Sequence, residues 1–214
     1  MSDGGDMEDE VVAGAPEAGK RRVSEAPLGP VFRHKMYSIR RPFWSWTGRT
    51  FHIHAPTGER VMLVKYPFWR AREELVVYAN DETTMLLRVA ETRIIARNVR
   101  FDVFDAKRDT LVGSIVSRGI RSVARDAWDV LDGAGKQLGM MQEQGRPFLR
   151  RIVPILRGQY YVEIDGREGA RIVQMRGMFS KEYVLDLTTA SARFDPRLAI
   201  ACALLALLAE PATS

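Results

Sequence analysis

Cysteine is almost absent from this chain. Cys202 is the single thiol among 214 residues, so no disulfide can close within it and a disulfide-stapled secreted scaffold is excluded. A reducing, cytoplasmic setting is what that scarcity suggests. Histidine is scarce too, with only His34, His52 and His54. His52 and His54 stand two apart on one strand face, and no Cys is near enough in sequence to complete a zinc site with them, so solvent-facing strand positions account for the pair. No apolar run is long enough to cross a bilayer: residues 198–209, at about 1.5 Å each, cover about 18 Å against about 30 Å of hydrocarbon. The amino-terminal stretch lacks a basic start followed by an apolar segment, and so does not read as a signal peptide.

What is present begins with residues 198–209, where every side chain is apolar. Asp195 suits an N-cap, Pro196 the first helical position, and Glu210-Pro211 a stop, which predicts a helix over 196–209. A surface helix keeps a polar face, and this one has none, so it must be sheathed by protein or lipid. The length argument favours protein.

Residues 1–30 differ in character. They hold seven acids (Asp3, Asp6, Glu8, Asp9, Glu10, Glu17, Glu25), three bases (Lys20, Arg21, Arg22) and many Gly, Ala and Pro, with few large apolar groups to offset the entropy of ordering. A disordered tail is expected. Its charge is 3 − 7 = −4 against +5 for the chain, leaving 5 + 4 = +9 on residues 31–214. A body that basic associates with anionic surfaces, phospholipid or nucleic acid, unless the arginines merely solvate it.

From residue 31 a unit recurs: a short aromatic or β-branched run, a turn rich in Asp and Gly, and a second alternating run. The pairs are 50–54 with 60–65, 74–78 with 85–89, 100–105 with 111–116, 128–132 with 138–141, and 160–165 with 170–175. They read as hairpins whose turns need positive φ, which Gly and Asp supply. Adding single strands around 33–39 and 181–187 brings the total to about twelve. That number favours closure over exposed edges, and the barrel it makes has more lumen than its own side chains fill. An apolar helix along the axis fills it. The fold class is therefore all-β with one central helix, a closed antiparallel barrel of about 12 strands around a buried C-terminal hydrophobic α-helix, as a single domain over 31–214. In 101–105 and 75–78 both faces are apolar, which calls for a bulge or an outer cover.

The repeated strand–turn–strand units, the segment Phe179-Ser180-Lys181-Glu182-Tyr183-Val184-Leu185-Asp186 and the closing helix together resemble the LURP-one-related family. That family belongs to the tubby C-terminal-like group, which also contains the phospholipid scramblases. The resemblance spans residues 31–210 and lies in the order of parts, since no single motif is diagnostic. It implies a twelve-stranded barrel around a C-terminal helix, and association with membrane lipid, tubby domains being phosphoinositide binders. It also admits a second reading: a scramblase-like protein moving lipids between leaflets, with the C-terminal helix as membrane anchor. Scramblases carry an Asp-rich calcium segment before that helix. Here residues 187–194 hold no acid, and calcium needs several oxygen ligands.

Catalytic candidates are thin. Asp105 and Asp132 open hairpin turns, so the pairs Asp102/Asp105 and Asp129/Asp132 read as turn chemistry rather than acid–base dyads. Gly133 and Gly135 before Lys136 lack phosphate-loop spacing. Cys202 on a buried helix is a poor nucleophile. The chain is read as no enzyme, with no cofactor or metal.

Basic clusters around Pro-Phe are the functional lead: Arg40-Arg41-Pro42-Phe43-Trp44-Ser45-Trp46, Lys65-Tyr66-Pro67-Phe68-Trp69-Arg70-Ala71-Arg72, and Arg146-Pro147-Phe148-Leu149-Arg150-Arg151. Bases beside Trp and Phe suit a membrane interface, or the rings plug the barrel ends and the arginines solvate the loops. All three clusters lie between hairpins, which would gather them at one end. The lipid- or anion-binding residues expected are Arg40, Arg41, Lys65, Arg70, Arg72, Arg146, Arg150 and Arg151, with anionic phospholipid as partner and no nucleic acid, since no recognised nucleic-acid pattern accompanies them. The expected function is a non-enzymatic lipid-binding or membrane-associated interaction module, peripheral on the inner face of a membrane.

Overall fold

The computed structural model describes residues 28–42, 49–66, 74–93, 99–118, 127–143, 159–175 and 180–209. The remaining segments lie outside the described residues, among them 1–27 of the tail expected over 1–30. Twelve strands stand among those described: β1 Met36–Pro42, β2 Arg49–His54, β3 Arg60–Tyr66, β4 Glu74–Ala79, β5 Met85–Arg93, β6 Val99–Asp105, β7 Thr110–Ser117, β8 Ala127–Asp132, β9 Gln137–Glu143, β10 Gln159–Ile164, β11 Arg167–Met175 and β12 Ser180–Asp186. Each pairs antiparallel with the next, and β1 closes on β12 from Met36↔Asp186 to Pro42↔Ser180. The closed barrel is the architecture expected from the repeat, and it leaves no sheet edge to aggregate.

Its turns use the predicted chemistry. Gly58 and Gly135 take φ of 85° and 82° at the ends of three-residue loops, Asp165 and Gly166 take 49° and 75° in a two-residue turn, and Glu82 and Asp109 sit at 61° and 49°. Short polar side chains stabilise the bends locally. The Asp105 Oδ1 accepts from the Lys107 and Arg108 N–H at 3.1 and 3.2 Å, and Asp132 Oδ1 accepts from Ala134 and Lys136 N–H at 2.9 and 2.8 Å. These are Asx-type contacts, which is why Asp belongs there.

All five hairpins carry a register shift soon after the turn. The pairing skips Val61, Leu86, Val112, Leu138 and Gly169, each on the return strand. A bulge adds local twist, and the same bulge repeated around the wall curls the ribbons toward closure. The apolar faces in 75–78 and 101–105 are thus explained twice over. The compensating extra residues, Leu86 and Val112, sit on the partner strands, and cations cover the outer rings: Lys65 Nζ lies 4.9 Å from the Tyr78 centroid and the Arg88 guanidinium 4.4 Å from that of Phe104.

The last element is helix α1, Pro196–Ala209. Asp195 caps it, its Oδ1 accepting the Arg197 N–H at 2.9 Å and its carbonyl the Ala199 N–H at 3.1 Å. The helix runs inside the barrel, with every residue from Leu198 through Leu207 at 5% exposure or less. Burying each of Leu198, Ile200, Leu204 and Leu207 contributes about 1.5–3 kcal/mol. The intervening Ala199, Ala201, Cys202, Ala203 and Ala206 leave room for inward side chains of the wall, such as Tyr37, Phe51, Ile53, Ile115, Ile172 and Leu185. At Gly113 on β7 a Cβ would sit 2.4 Å from the Leu131 carbonyl oxygen and 2.9 Å from Leu198 Cδ2, so a bare backbone is what lets the helix lie that close. The helix is enclosed by the wall, which is not the disposition of a membrane anchor. Among the described residues no helix is long and apolar enough to cross a membrane.

Candidate functional site

An up-and-down barrel has two rims, and this one divides its chemistry between them. The hairpin turns, the start of β1 and the N-terminus of α1 lie at one; the strand ends at residues 42 and 49, 66 and 74, 93 and 99, 117 and 127, 143 and 159, and 175 and 180 lie at the other. By sequence, the six segments joining those second-rim ends contain eleven bases and two acids, 11 − 2 = +9. The five turns contain Lys107, Arg108 and Lys136 against Glu59, Asp81, Glu82, Asp109 and Asp165, 3 − 5 = −2; adding Arg33 and Lys35 before β1, and the cancelling Arg193 and Asp195 before α1, brings that rim to zero.

Three of the predicted binding residues are described, and all stand next to the charged rim. Arg40 is on the outer wall of β1, its Nε 3.2 Å from Glu182 Oε1, while the Ser38 hydroxyl donates to the same oxygen at 2.5 Å. Lys65 is exposed on the outer wall of β3, two strands away, over the Tyr78 ring. Arg41 is half-buried on the opposite face of β1, the face it shares with Ile39. The structure therefore brings Arg40 and Lys65 to one patch of wall and turns Arg41 from it. Arg70, Arg72, Arg146, Arg150 and Arg151 fall outside the described residues.

His52 and His54 take the outer face of β2 with ring centroids 6.3 Å apart. Burial, then Arg60, lowers the pKa of His52; burial, then Arg40 and His52, lowers that of His54. Among the described residues no group of three or more His, Cys, Asp or Glu side chains is placed to hold a metal ion. Burial pushes the Cys202 thiol up to about 12.

The acids have more work than turn-making. Asp102, on the outer wall, is 1% exposed and accepts from Arg100 Nε at 2.6 Å and the Ser114 hydroxyl at 2.7 Å. Asp105 reaches inward, its Oδ2 accepting from Arg197 Nη1 at 2.7 Å. Arg197 is 3% exposed and also binds Asp195 through Nη2 at 2.6 Å. Burial alone pulls the guanidinium's pKa down, but the Asp195 and Asp105 carboxylates outweigh it and the net shift is upward. These contacts fix where the helix enters the barrel and bring no reacting centre together.

A feature not read from the sequence lies where the last turns of α1 meet the charged rim. Tyr66, Leu75, Val89, Phe101, Trp128, Leu205 and Leu208 surround a cavity of about 160 Å³. Phe101 and Trp128, both in its lining, pack against each other at a 6.0 Å centroid distance. The sequence signal was available in part, since Trp128 opens an inward-facing strand position, but seven positions on six elements have no common spacing to find.

No family model matches the chain, and no curated protein matches it. Among solved structures the chain is similar to the X-ray structure of a protein from Arabidopsis thaliana, AT5G01750, with 16% identity over 84% of this chain and 94% of that one and a TM-score of 0.49. Identity that low says nothing of ligand or activity.

Proposed function

We propose that the protein is a non-enzymatic barrel module that docks by one rim on anionic membrane lipid, phosphoinositide-like headgroups in particular. The observation that carries this is the division of charge: +9 in the connections of one rim against zero at the other. Those connections also hold three of the four tryptophans, Trp44, Trp46 and Trp69. Cations facing anionic headgroups contribute about 1 kcal/mol each near the surface, and indole rings favour the headgroup depth. In this orientation the axis of α1 points at the membrane with its C-terminal end nearest, and the helix stays inside the wall. The protein is then peripheral, bound to an inner leaflet.

Flotation with vesicles of phosphatidylcholine containing phosphoinositide tests the reading. Binding that weakens with salt and is lost when Arg40, Arg41, Lys65, Arg70 and Arg72 become Ala is expected. Binding that ignores both salt and these substitutions sinks it.

A further inference from the structure

The cavity beneath the charged rim has a lining that selects its occupant. Among the described residues no charged side chain borders it, and the polar groups of its lining are the Tyr66 hydroxyl and the Trp128 indole N–H. A buried water needs two to four polar partners and a hydrocarbon needs none, so this space favours hydrocarbon. Its size is close to the roughly 150 Å³ of a dry, aliphatic-lined cavity that takes benzene, about six carbons. The space is partly open rather than a sealed void, and it adjoins the rim whose connections carry +9. The charge calls for an anion and the lining for an alkyl chain, and a molecule meeting both is an anionic amphiphile.

We infer that the cavity receives the terminal carbons of an acyl chain whose anionic head is held at the rim. The inference rests on the rim-docking reading and deepens it, giving the module a preference for chain as well as head. The chain could belong to a membrane phospholipid or to a free fatty acid, and the two are separable. Trp44, Trp46 and Trp69 changed together to Phe leave Trp128, which lines the cavity, as the one emitter. Monomeric dodecanoate bearing bromine on its terminal carbon should quench Trp128 saturably, whereas bromine beside the carboxylate should quench it little. Leu208→Phe, which adds a ring at the half-buried edge of the cavity, should weaken that quenching about tenfold, about 1.4 kcal/mol, without lowering the melting temperature. Leu205→Phe serves if the first variant folds poorly.

Equal quenching from both bromine positions, none from either, or undiminished quenching in a folded filled variant overturns the inference. If flotation is salt-sensitive and the terminal bromine is silent, rim docking stands and chain capture falls. If the terminal bromine quenches and the protein does not float, chain capture stands with a free fatty acid as its source, and rim docking falls.

Discussion

Arg197 is the one charged residue inside the barrel helix, and its chemistry decides where the helix can start. Taking a guanidinium from water costs several kcal/mol, offset here through Asp195 two residues back and Asp105 on β6. Asp105→Ala leaves a buried cation without one of its carboxylate partners and should cost about 3 kcal/mol in urea unfolding. Arg197→Met should cost a similar amount, and the double variant about 1 kcal/mol less than the sum, because each single change strands the other charge. Strict additivity would mean the pair is not coupled. A second residue-scale consequence concerns His52 and His54, whose folded pKa values lie below the unfolded value of about 6.5. The unfolded chain then binds protons more readily, so stability is lost as pH falls through about 6.5. The melting temperature should drop between pH 7.5 and 5.5, and less so in the His52→Gln/His54→Gln variant; parallel curves for the two proteins would refute the assignment. Glu182, whose pKa is lowered despite burial by Ser38 and Arg40, contributes in a more acidic window and does not confound the comparison. The Asp105–Arg197 contact spans 92 positions. Sequence reading found Asp105 as a turn former and had no means of seeing that the same carboxylate faces inward to the helix.

At the scale of elements, the strands, their turns and the helix were legible because each is specified locally: alternation with period two, Asp or Gly where φ turns positive, and an apolar run with a cap at its start. The helix inside a barrel followed from two local facts that need each other. The bulges were only half legible. Doubly apolar faces in 75–78 and 101–105 announced a register problem, yet the extra residues, Leu86 and Val112, lie on the strands opposite, and nothing within one strand says which partner will yield. Enclosure of α1 makes a direct prediction. Cys202 is fully buried with its thiol raised to about 12, so a disulfide-exchange reagent at pH 8 should label it only as the barrel opens. The labelling rate should match the global unfolding rate, or fall below that of a free thiol by the folding equilibrium constant. Rapid labelling of protein with an intact circular dichroism spectrum would put the helix outside the wall.

For the whole molecule, the antiparallel closed topology turns a sequence with clusters scattered over more than a hundred residues into a body with two unlike ends. The clusters around Arg40, Lys65 and Arg146 were legible as motifs, and the ends of β1 and β3 that carry Arg40 and Lys65 stand at one rim, while Arg146 lies outside the described residues. The neutrality of the opposite rim emerged only when turns and connections were summed separately. If that polarity orients the molecule on a membrane, the two ends must meet different solvents. Lys65, beside the charged rim, and Glu82, in a turn at the other, are both exposed, and Cys202 is too buried to compete for a thiol-reactive dye. A polarity-sensitive dye on Lys65→Cys should shift to the blue on phosphoinositide vesicles and return as salt is added, since the attraction is screened within about 8 Å at physiological ionic strength. The same dye on Glu82→Cys should report water throughout. Equal shifts at the two positions would mean that the barrel binds without orientation, and a shift confined to Glu82→Cys would mean that it binds by its neutral end, in which case charge is not what brings it to the lipid.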